Sequence, residues 1–278
     1  MNKIKAVFVD YDGTLIKSDG MVSQRTKDTI KRFIAGGGKF YINTGRVGTS
    51  AVDAAKEIGT SRYVASCQGG AVYDLENGDS LAWDVTIPKD RALDIATWLE
   101  SKGAYFQIYP TKGGYATEKY VVPYTDYYEN ACNKKANILG EKASEYMRRE
   151  DVRLAKILVI FDDVIDPEFL AELKSRYGDA VRTSVSRQAP TYFEINDPMT
   201  AKGEALKRIA EIEGIDISEC AAIGDQNNDM SMIVAAGVGV AVANATAELK
   251  AAADILTLSN DEDGVAYFIE KFCLGDEQ

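Results

Sequence analysis

The chain has 278 residues, 46% of them hydrophobic and 27% charged, a globular balance with room for one large and one smaller domain. Its formal charge of −11 and isoelectric point near 4.7 work against nucleic acid or an anionic membrane surface as a partner, though a local acidic pocket can still hold Mg²⁺ and through it a phosphate. It contains no histidine, which excludes serine–histidine and cysteine–histidine catalysis and most zinc enzymes and leaves acid–base chemistry to carboxylates, lysine or tyrosine.

No run approaches the roughly 18–20 apolar residues of a membrane helix; the longest, 233–243, contains two glycines. The basic segment 1–5 is followed by an apolar run that stops at Asp10, so no signal peptide is expected and the protein is read as cytoplasmic. Cys67, Cys132, Cys220 and Cys273 form no C-x-x-C pair and are expected to be buried, reduced thiols.

Along the chain, apolar runs at 6–9, 39–42 and 63–65 alternate with helical patterns at 23–36, capped by Ser23, and 47–58. This β-α-β-α-β order predicts a parallel sheet with helices on its faces. The middle is tyrosine-rich. It shows a helix from Pro88 to near Gly103, a hairpin of 104–109 and 115–118 around Gly113-Gly114, strands at 157–161 and 181–185 and a helix at 167–177. The first rhythm then returns, with helices at 201–213, 227–235 and 245–253 and strands at 220–223, 238–242 and 255–258. The reading is an α/β protein: a Rossmann-like doubly wound parallel-sheet core of residues 1–82 and 189–278, with an α+β domain, 83–188, inserted into it. Neither a solenoid-length repeat nor a low-complexity segment is present.

Four motifs carry chemistry, and all four are expected at strand-to-helix junctions of one sheet. In A-V-F-V-D-Y-D-G-T-L (6–15), Asp10 and Asp12 stand two apart at a strand end, where extended spacing puts both on one side. Ligands bind at such carboxyl ends, and two carboxylates can divide nucleophilic from acid–base work. In Y-I-N-T-G-R (41–46), Thr44 and the adjacent backbone N–H groups can hold a phosphate oxygen, Gly45 allows the turn, and Arg46 can meet substrate phosphate or an acid. Lys202, in T-A-K-G-E-A-L, opens a helix after a predicted strand at 192–195. A cation is unfavourable there, which suggests that it neutralises a phosphate or a carboxylate, although a lone lysine is usually a surface charge. In A-A-I-G-D-Q-N-N-D-M (221–230), Asp225 suits direct ligation of Mg²⁺, Asp229 a water-mediated or supporting place on the same helix face, and Asn228 a hydrogen bond to phosphate or to an acid.

These residues resemble the haloacid dehalogenase-like superfamily along the whole chain: D-Y-D-G-T-L, T-G-R, the lysine of A-K-G-x-A-L and G-D-x-x-N-D are its motifs in its order. The insert between the second and third looks like the large α/β cap of the Cof-type hydrolases. The resemblance implies that Asp10 becomes an aspartyl-phosphate and that Asp12 protonates the leaving group and then activates water. It implies that Thr44 and Lys202 bind phosphate, and that Asp10, the Asp12 backbone carbonyl and Asp225 bind Mg²⁺ with Asp229 in support. One departure stands out: relatives usually carry Asn-Gly-Ala after the third strand, whereas here the stretch is C-Q-G-G-A, with Gly69 at the asparagine position and Gln68 beside it.

The reading is a phosphatase of a small phosphorylated metabolite, foremost a sugar phosphate, with substrate choice in the inserted domain. Tyr105, Phe106, Tyr109, Tyr115, Tyr120, Tyr124, Tyr127 and Tyr128 crowd that domain; its own core is their first explanation and substrate stacking the second. Arg153, Lys156 and Arg187 are its basic candidates for substrate contact. A phosphomutase on the same fold and a non-catalytic binding protein are the alternatives; two intact carboxylates at one strand end argue against the latter. Oligomeric state is not legible.

Overall fold

Strand β1 (Ala6–Val9) is four apolar residues buried on both faces, which is what the middle of a helix-covered parallel sheet requires. The computed structural model describes residues 3–161, 166–178, 182–186 and 191–275. After β1 come α1 (Gln24–Ala35), β2 (Lys39–Ile42), α2 (Gly48–Ile58), β3 (Tyr63–Ser66), β4 (Ala71–Asp74) and β5 (Ser80–Asp84). The middle holds α3 (Lys89–Ser101), β6 (Phe106–Pro110), β7 (Ala116–Thr117), α4 (Tyr124–Cys132), β8 (Asn137–Ile138), α5 (Ala143–Arg149), β9 (Leu154–Phe161), α6 (Pro167–Tyr177), β10 (Arg182–Ser186) and β11 (Thr191–Asn196). The last part adds α7 (Lys202–Ile212), β12 (Cys220–Gly224), α8 (Met230–Ala235), β13 (Val238–Ala241), α9 (Ala247–Ala252), β14 (Ile255–Leu256) and α10 (Gly264–Phe268).

Contacts divide the chain into two units. The first comprises Met1–Gly45, Ala51–Ala82 and Ala201–Gln278, the second Arg46–Ser50 and Trp83–Thr200. The first unit is built on a five-stranded sheet in the order β14-β13-β12-β1-β2, every pairing parallel. The chain winds outward from β1 in one direction to β2 and, after the second unit, in the other through β12. The strand order therefore reverses between β1 and β12, where a doubly wound sheet opens its ligand crevice at the carboxyl ends. As expected, Ser23 caps α1, its side chain accepting from the Thr26 N–H.

Three expectations are corrected. The run at 63–65 does not extend the parallel sheet: β3 pairs antiparallel with β4 in a separate sheet ordered β3-β4-β5, touching the end of β2 through a single Asn43–Ala65 bridge. The run at 192–195 is not a core strand: β11 pairs antiparallel with β9 and β10. Its hydrogen bonds carry the second unit on to Thr200, beyond the expected boundary at 188/189. Periodicity marks a strand but not its partners, so neither pairing was readable from the run itself.

The second unit has a six-stranded sheet, β10-β11-β9-β6-β7-β8, antiparallel except for β7–β8. Alternation gives it two unlike faces. Phe106, Ile108, Ile157, Val159, Phe193 and Ile195 join residues of α3, α5 and α6 in an apolar core. Gln107, Tyr109, Lys156 and Glu194, at the intervening positions, are also buried. Lys156 lies 2.6 Å from Glu194 and 4.4 Å from the centroid of the Tyr109 ring. Tyr109 stacks on Tyr115 at 5.4 Å and meets the edge of Tyr128, so these tyrosines are core residues of this unit, while Tyr120 is exposed. Arg153 donates from Nε to Asp84 at 2.9 Å. Arg187 lies outside the described residues. Cys67, Cys132 and Cys220 are buried free thiols, while Cys273 is only partly buried. No described helix is long and apolar enough to cross a membrane.

Candidate active site

At the end of β1 the ladder reaches one residue further, the Asp10 N–H donating to the Ile223 carbonyl at 3.0 Å, and the chain then turns. Residues Tyr11–Leu15 form a short π-type turn interrupted at Gly13, whose φ is +75°. Asp10 and Asp12 both keep extended backbone angles; Asp10 is 5% exposed and Asp12 is exposed. Gly13 is required twice over. A Cβ there would combine a left-handed backbone with an approach of 2.6 Å to Asp225 Oδ2. The same turn aims Thr14, whose Oγ1 donates to Asp225 Oδ1 at 2.8 Å, and Asn244 fastens it from outside by donating from Nδ2 to the Gly13 carbonyl at 2.7 Å.

The carboxyl end of β12 supplies the opposite wall. Asp229 closes a short 3₁₀ turn, Asn227–Asp229, at the start of α8 and is fully buried. Its Oδ2 accepts from the N–H groups of Asp225 at 2.9 Å and Gln226 at 3.1 Å, and its Oδ1 accepts from Lys202 Nζ at 2.6 Å. Gly224 makes room for this: a Cβ there would lie 2.5 Å from the Asp229 Cβ. Gly224→Ala should therefore displace Asp229 and destabilise the fold by about 1–3 kcal/mol, the usual cost of overpacking. Urea titration checks this, and an unchanged midpoint would show that Asp229 has slack.

Lys202 opens α7, which follows the crossover from β11 rather than a core strand, so the third motif differs from the other three in its junction. Asn43 anchors that start by donating from Nδ2 to the Lys202 carbonyl at 2.8 Å. The side chain is fully buried, with Nζ 2.6 Å from both Asp10 Oδ1 and Asp229 Oδ1. This arrangement outweighs the adverse helix dipole, since the ammonium bridges two buried anions. Burial alone would lower the Lys202 pKa; the two carboxylates overcome it and hold the ammonium above its usual range. Burial, then repulsion from Asp229, drives the Asp10 carboxyl well up despite Lys202. Burial, again followed by Asp229, pushes Asp225 up to about 6, opposed by the Thr14 hydrogen bond. The site holds more negative charge than one ammonium compensates.

Asp10, Asp225 and Asp229 each offer an oxygen within 4.8 Å of the others. All three donors are hard carboxylates, with no sulfur or imidazole, which fits a hard divalent cation of the Mg²⁺ type. Asp229 already accepts three hydrogen bonds, whereas Asp225 accepts one at each oxygen and Asp10 is held at Oδ1 by Lys202. Asp10 and Asp225 are thus the better placed of the three to ligate.

A third edge comes from the loops after β2 and β3. Thr44 is buried, its N–H donating to the Ala65 carbonyl at 3.0 Å, and its carbonyl accepts from the Gln68 N–H at 3.0 Å. The Gln68 Oε1 accepts from Asn228 Nδ2 at 3.1 Å. Cys67 and Gln68 both have left-handed backbones, φ +49° and +62°, at a cost on the order of 1 kcal/mol each. Arg46 is half-buried and groups with the second unit.

The structure thus clusters Asp10, Asp225 and Asp229, joins Lys202 to the first and last of them, and ties Asn228 to the Thr44–Gly45 turn through Gln68. Sequence reasoning assigned no role to Thr14, Asn43, Gln226 or Asn244. Thr14 and Asn43 lay inside quoted motifs and could have been picked out, but nothing local marks Asn244, which reaches the first turn from across the chain.

An α/β sheet whose switch-point strands end in Asp10 and Asp225, with a buried lysine bridging Asp10 to Asp229, is the frame of a large hydrolase class. The chain belongs to the haloacid dehalogenase-like hydrolases, whose family pattern matches residues 7–269. It is 31% identical to phosphatase YwpJ of Bacillus subtilis, over 96% of this chain and 99% of that one. It is 29% identical to the 5-amino-6-(5-phospho-D-ribitylamino)uracil phosphatase YwtE of the same organism, over 98% and 99%. Among solved structures, a haloacid dehalogenase-like hydrolase from Bacteroides thetaiotaomicron superposes with a TM-score of 0.84 at 27% identity, covering 97% of this chain and 99% of that one. The protein is an enzyme of the phosphatase type.

Proposed function

We propose that this enzyme is a Mg²⁺-dependent phosphatase of a small phosphorylated metabolite, a sugar phosphate foremost, working through an aspartyl-phosphate on Asp10. The carrying observation is the buried Asp10 carboxylate at the switch point, 2.6 Å from Lys202 and clustered with Asp225 and Asp229. In the first step a carboxylate oxygen of Asp10 forms a bond to phosphorus as the ester P–O bond breaks, and Asp12 gives its proton to the departing alkoxide. In the second, Asp12 takes a proton from water, the resulting hydroxide bonds to phosphorus, and the acyl-phosphate bond breaks to release phosphate and restore Asp10. The exposure of Asp12 suits a group that must exchange protons with leaving group and water.

Lys202, Thr44 and the Gly45 turn hold the transferring group in this reading, with Asn228 beside them and Arg46 toward the substrate. Mg²⁺, held by Asp10, the Asp12 carbonyl and Asp225 with Asp229 in support, would offset the negative charge of carboxylates and phosphate. The inserted second unit carries the substrate preference. Support for a small metabolite comes from the relative that acts on a phosphorylated ribitylaminouracil.

The test is release of phosphate from p-nitrophenyl phosphate with and without Mg²⁺, followed by a panel of sugar phosphates. Mg²⁺-dependent release of free phosphate is expected; an isomeric sugar phosphate as the product would replace hydrolysis with mutase chemistry. A companion prediction concerns Asp12→Asn. With p-nitrophenyl phosphate, whose leaving group hardly needs an acid, the variant should still form phosphoryl-enzyme in a single turnover while losing about 10²–10⁴-fold in steady state. Rapid-quench trapping reads this, and equal loss in both steps would remove Asp12 from the acid–base role.

A further inference from the structure

We propose that Gln68 is a positioning residue for phosphate binding: its side-chain amide joins Asn228 to the Thr44–Gly45 turn, and the strained loop that carries it exists to place that amide. The inference rests on the phosphatase reading of the site.

Three observations converge. The Gln68 Oε1 accepts from Asn228 Nδ2 at 3.1 Å, so it orients an amide on the loop that follows the Asp225 strand. On its other side, a Cβ at Gly45 would lie 2.6 Å from Gln68 Nε2, so the amide rests against the glycine of the turn and occupies the space of its missing side chain. One side chain thus links two loops, from β2 and β12, that are far apart in sequence.

The backbone is the second observation. Cys67, Gln68 and Gly69 have φ of +49°, +62° and +91°, a run of left-handed residues of which only the last is glycine. Left-handed non-glycine residues persist only where the surroundings hold them, and they concentrate at functional positions. Were the loop a mere connector, glycine at 68 would be the easier residue.

Gly69 explains why the amide is at 68. A Cβ at Gly69 would approach the Ala201 carbonyl to 2.7 Å, a backbone atom at the threshold of α7 and next to Lys202. A side chain there would have to displace that backbone atom and adopt a left-handed conformation. The amide therefore stands at the preceding residue, on a backbone conformation that opposes it.

Gln68→Gly separates this role from a structural one, because it relieves the left-handed strain while removing the amide. With Mg²⁺-loaded enzyme and inorganic phosphate as competitive inhibitor, the inhibition constant and the KM for p-nitrophenyl phosphate should rise about tenfold, with a smaller change in kcat and a melting temperature equal to or above wild type. Gly45→Ala should weaken phosphate in the wild type by pushing the amide aside, yet add little on top of Gln68→Gly. An unchanged inhibition constant, or effects of the two substitutions that simply add, overturns the proposal. A wild-type enzyme that releases no phosphate would instead defeat the phosphatase reading itself.

Discussion

Replacing Asp10 with Asn should remove turnover, by about 10⁴-fold or more in kcat, while leaving the melting temperature within a few degrees of wild type. The size follows from the loss of the nucleophile: the amide is nearly isosteric and keeps an oxygen toward Lys202, but it cannot form an acyl phosphate. The stability forecast follows from the site's charge. Asp10 is crowded by Asp229 and Asp225 and is pushed toward its neutral form by burial, so a permanently neutral group of the same shape removes repulsion as well as one ion pair. Lys202 keeps Asp229 as its partner at 2.6 Å. Acid-quenched enzyme should carry no phosphoryl group. Near-normal activity in this variant would transfer the nucleophile's role elsewhere, and a collapsed melting temperature would make Asp10 chiefly a structural counter-ion.

Lys202→Met should do the reverse and act on stability first. The side chains are similar in volume, but the substitution strips the only ammonium bonded to Asp10 and Asp229 among the described residues, leaving buried carboxylates without compensation. Breaking a buried pair in this way costs about 3–5 kcal/mol, which at this chain size lowers the melting temperature by roughly 10 °C in metal-free buffer. Adding Asp229→Asn should recover part of the loss, because it removes one of the stranded charges. Calorimetry on the single and double variants decides this. A Lys202→Met protein that melts with the wild type would mean that protonation of the carboxylates fully relieves the strain. Activity should fall in either case, since the cation beside Asp10 is gone.

Both predictions concern residues already prominent in the sequence, and the reason is local chemistry. A short apolar strand followed at once by glycine and closely spaced acids is hard to use in any way other than a tight turn at a sheet's ligand-binding end. The 6–15 and 221–230 segments therefore announced β1, β12 and their carboxylates, and the alternation of helices and strands announced the parallel sheet. The histidine-free composition had already narrowed the chemistry to carboxylates and lysine.

The sequence could not show pairing across distance. Whether the 192–195 run belonged to the core or to the inserted unit was decided by its hydrogen bonds to β9 and β10, and the departure of β3 from the parallel sheet by its pairing with β4. Strand periodicity records which face of a strand is apolar and carries no information about its neighbour. Asp229 read as a supporting group on a helix face and proved fully buried, because its burial depends on the space left by Gly224 and on the reach of Lys202 from another crossover. Gln68 gave the same lesson in reverse: nothing in the sequence ties it to Asn228 and Gly45, which its side chain meets only in three dimensions. What the chain determined by itself was the inventory of charges and turns, each set by the few residues around it. What the tertiary structure decided was which of those charges share one low-dielectric space, and that depends on contacts between segments as far apart as Asp10, Lys202 and Asp229.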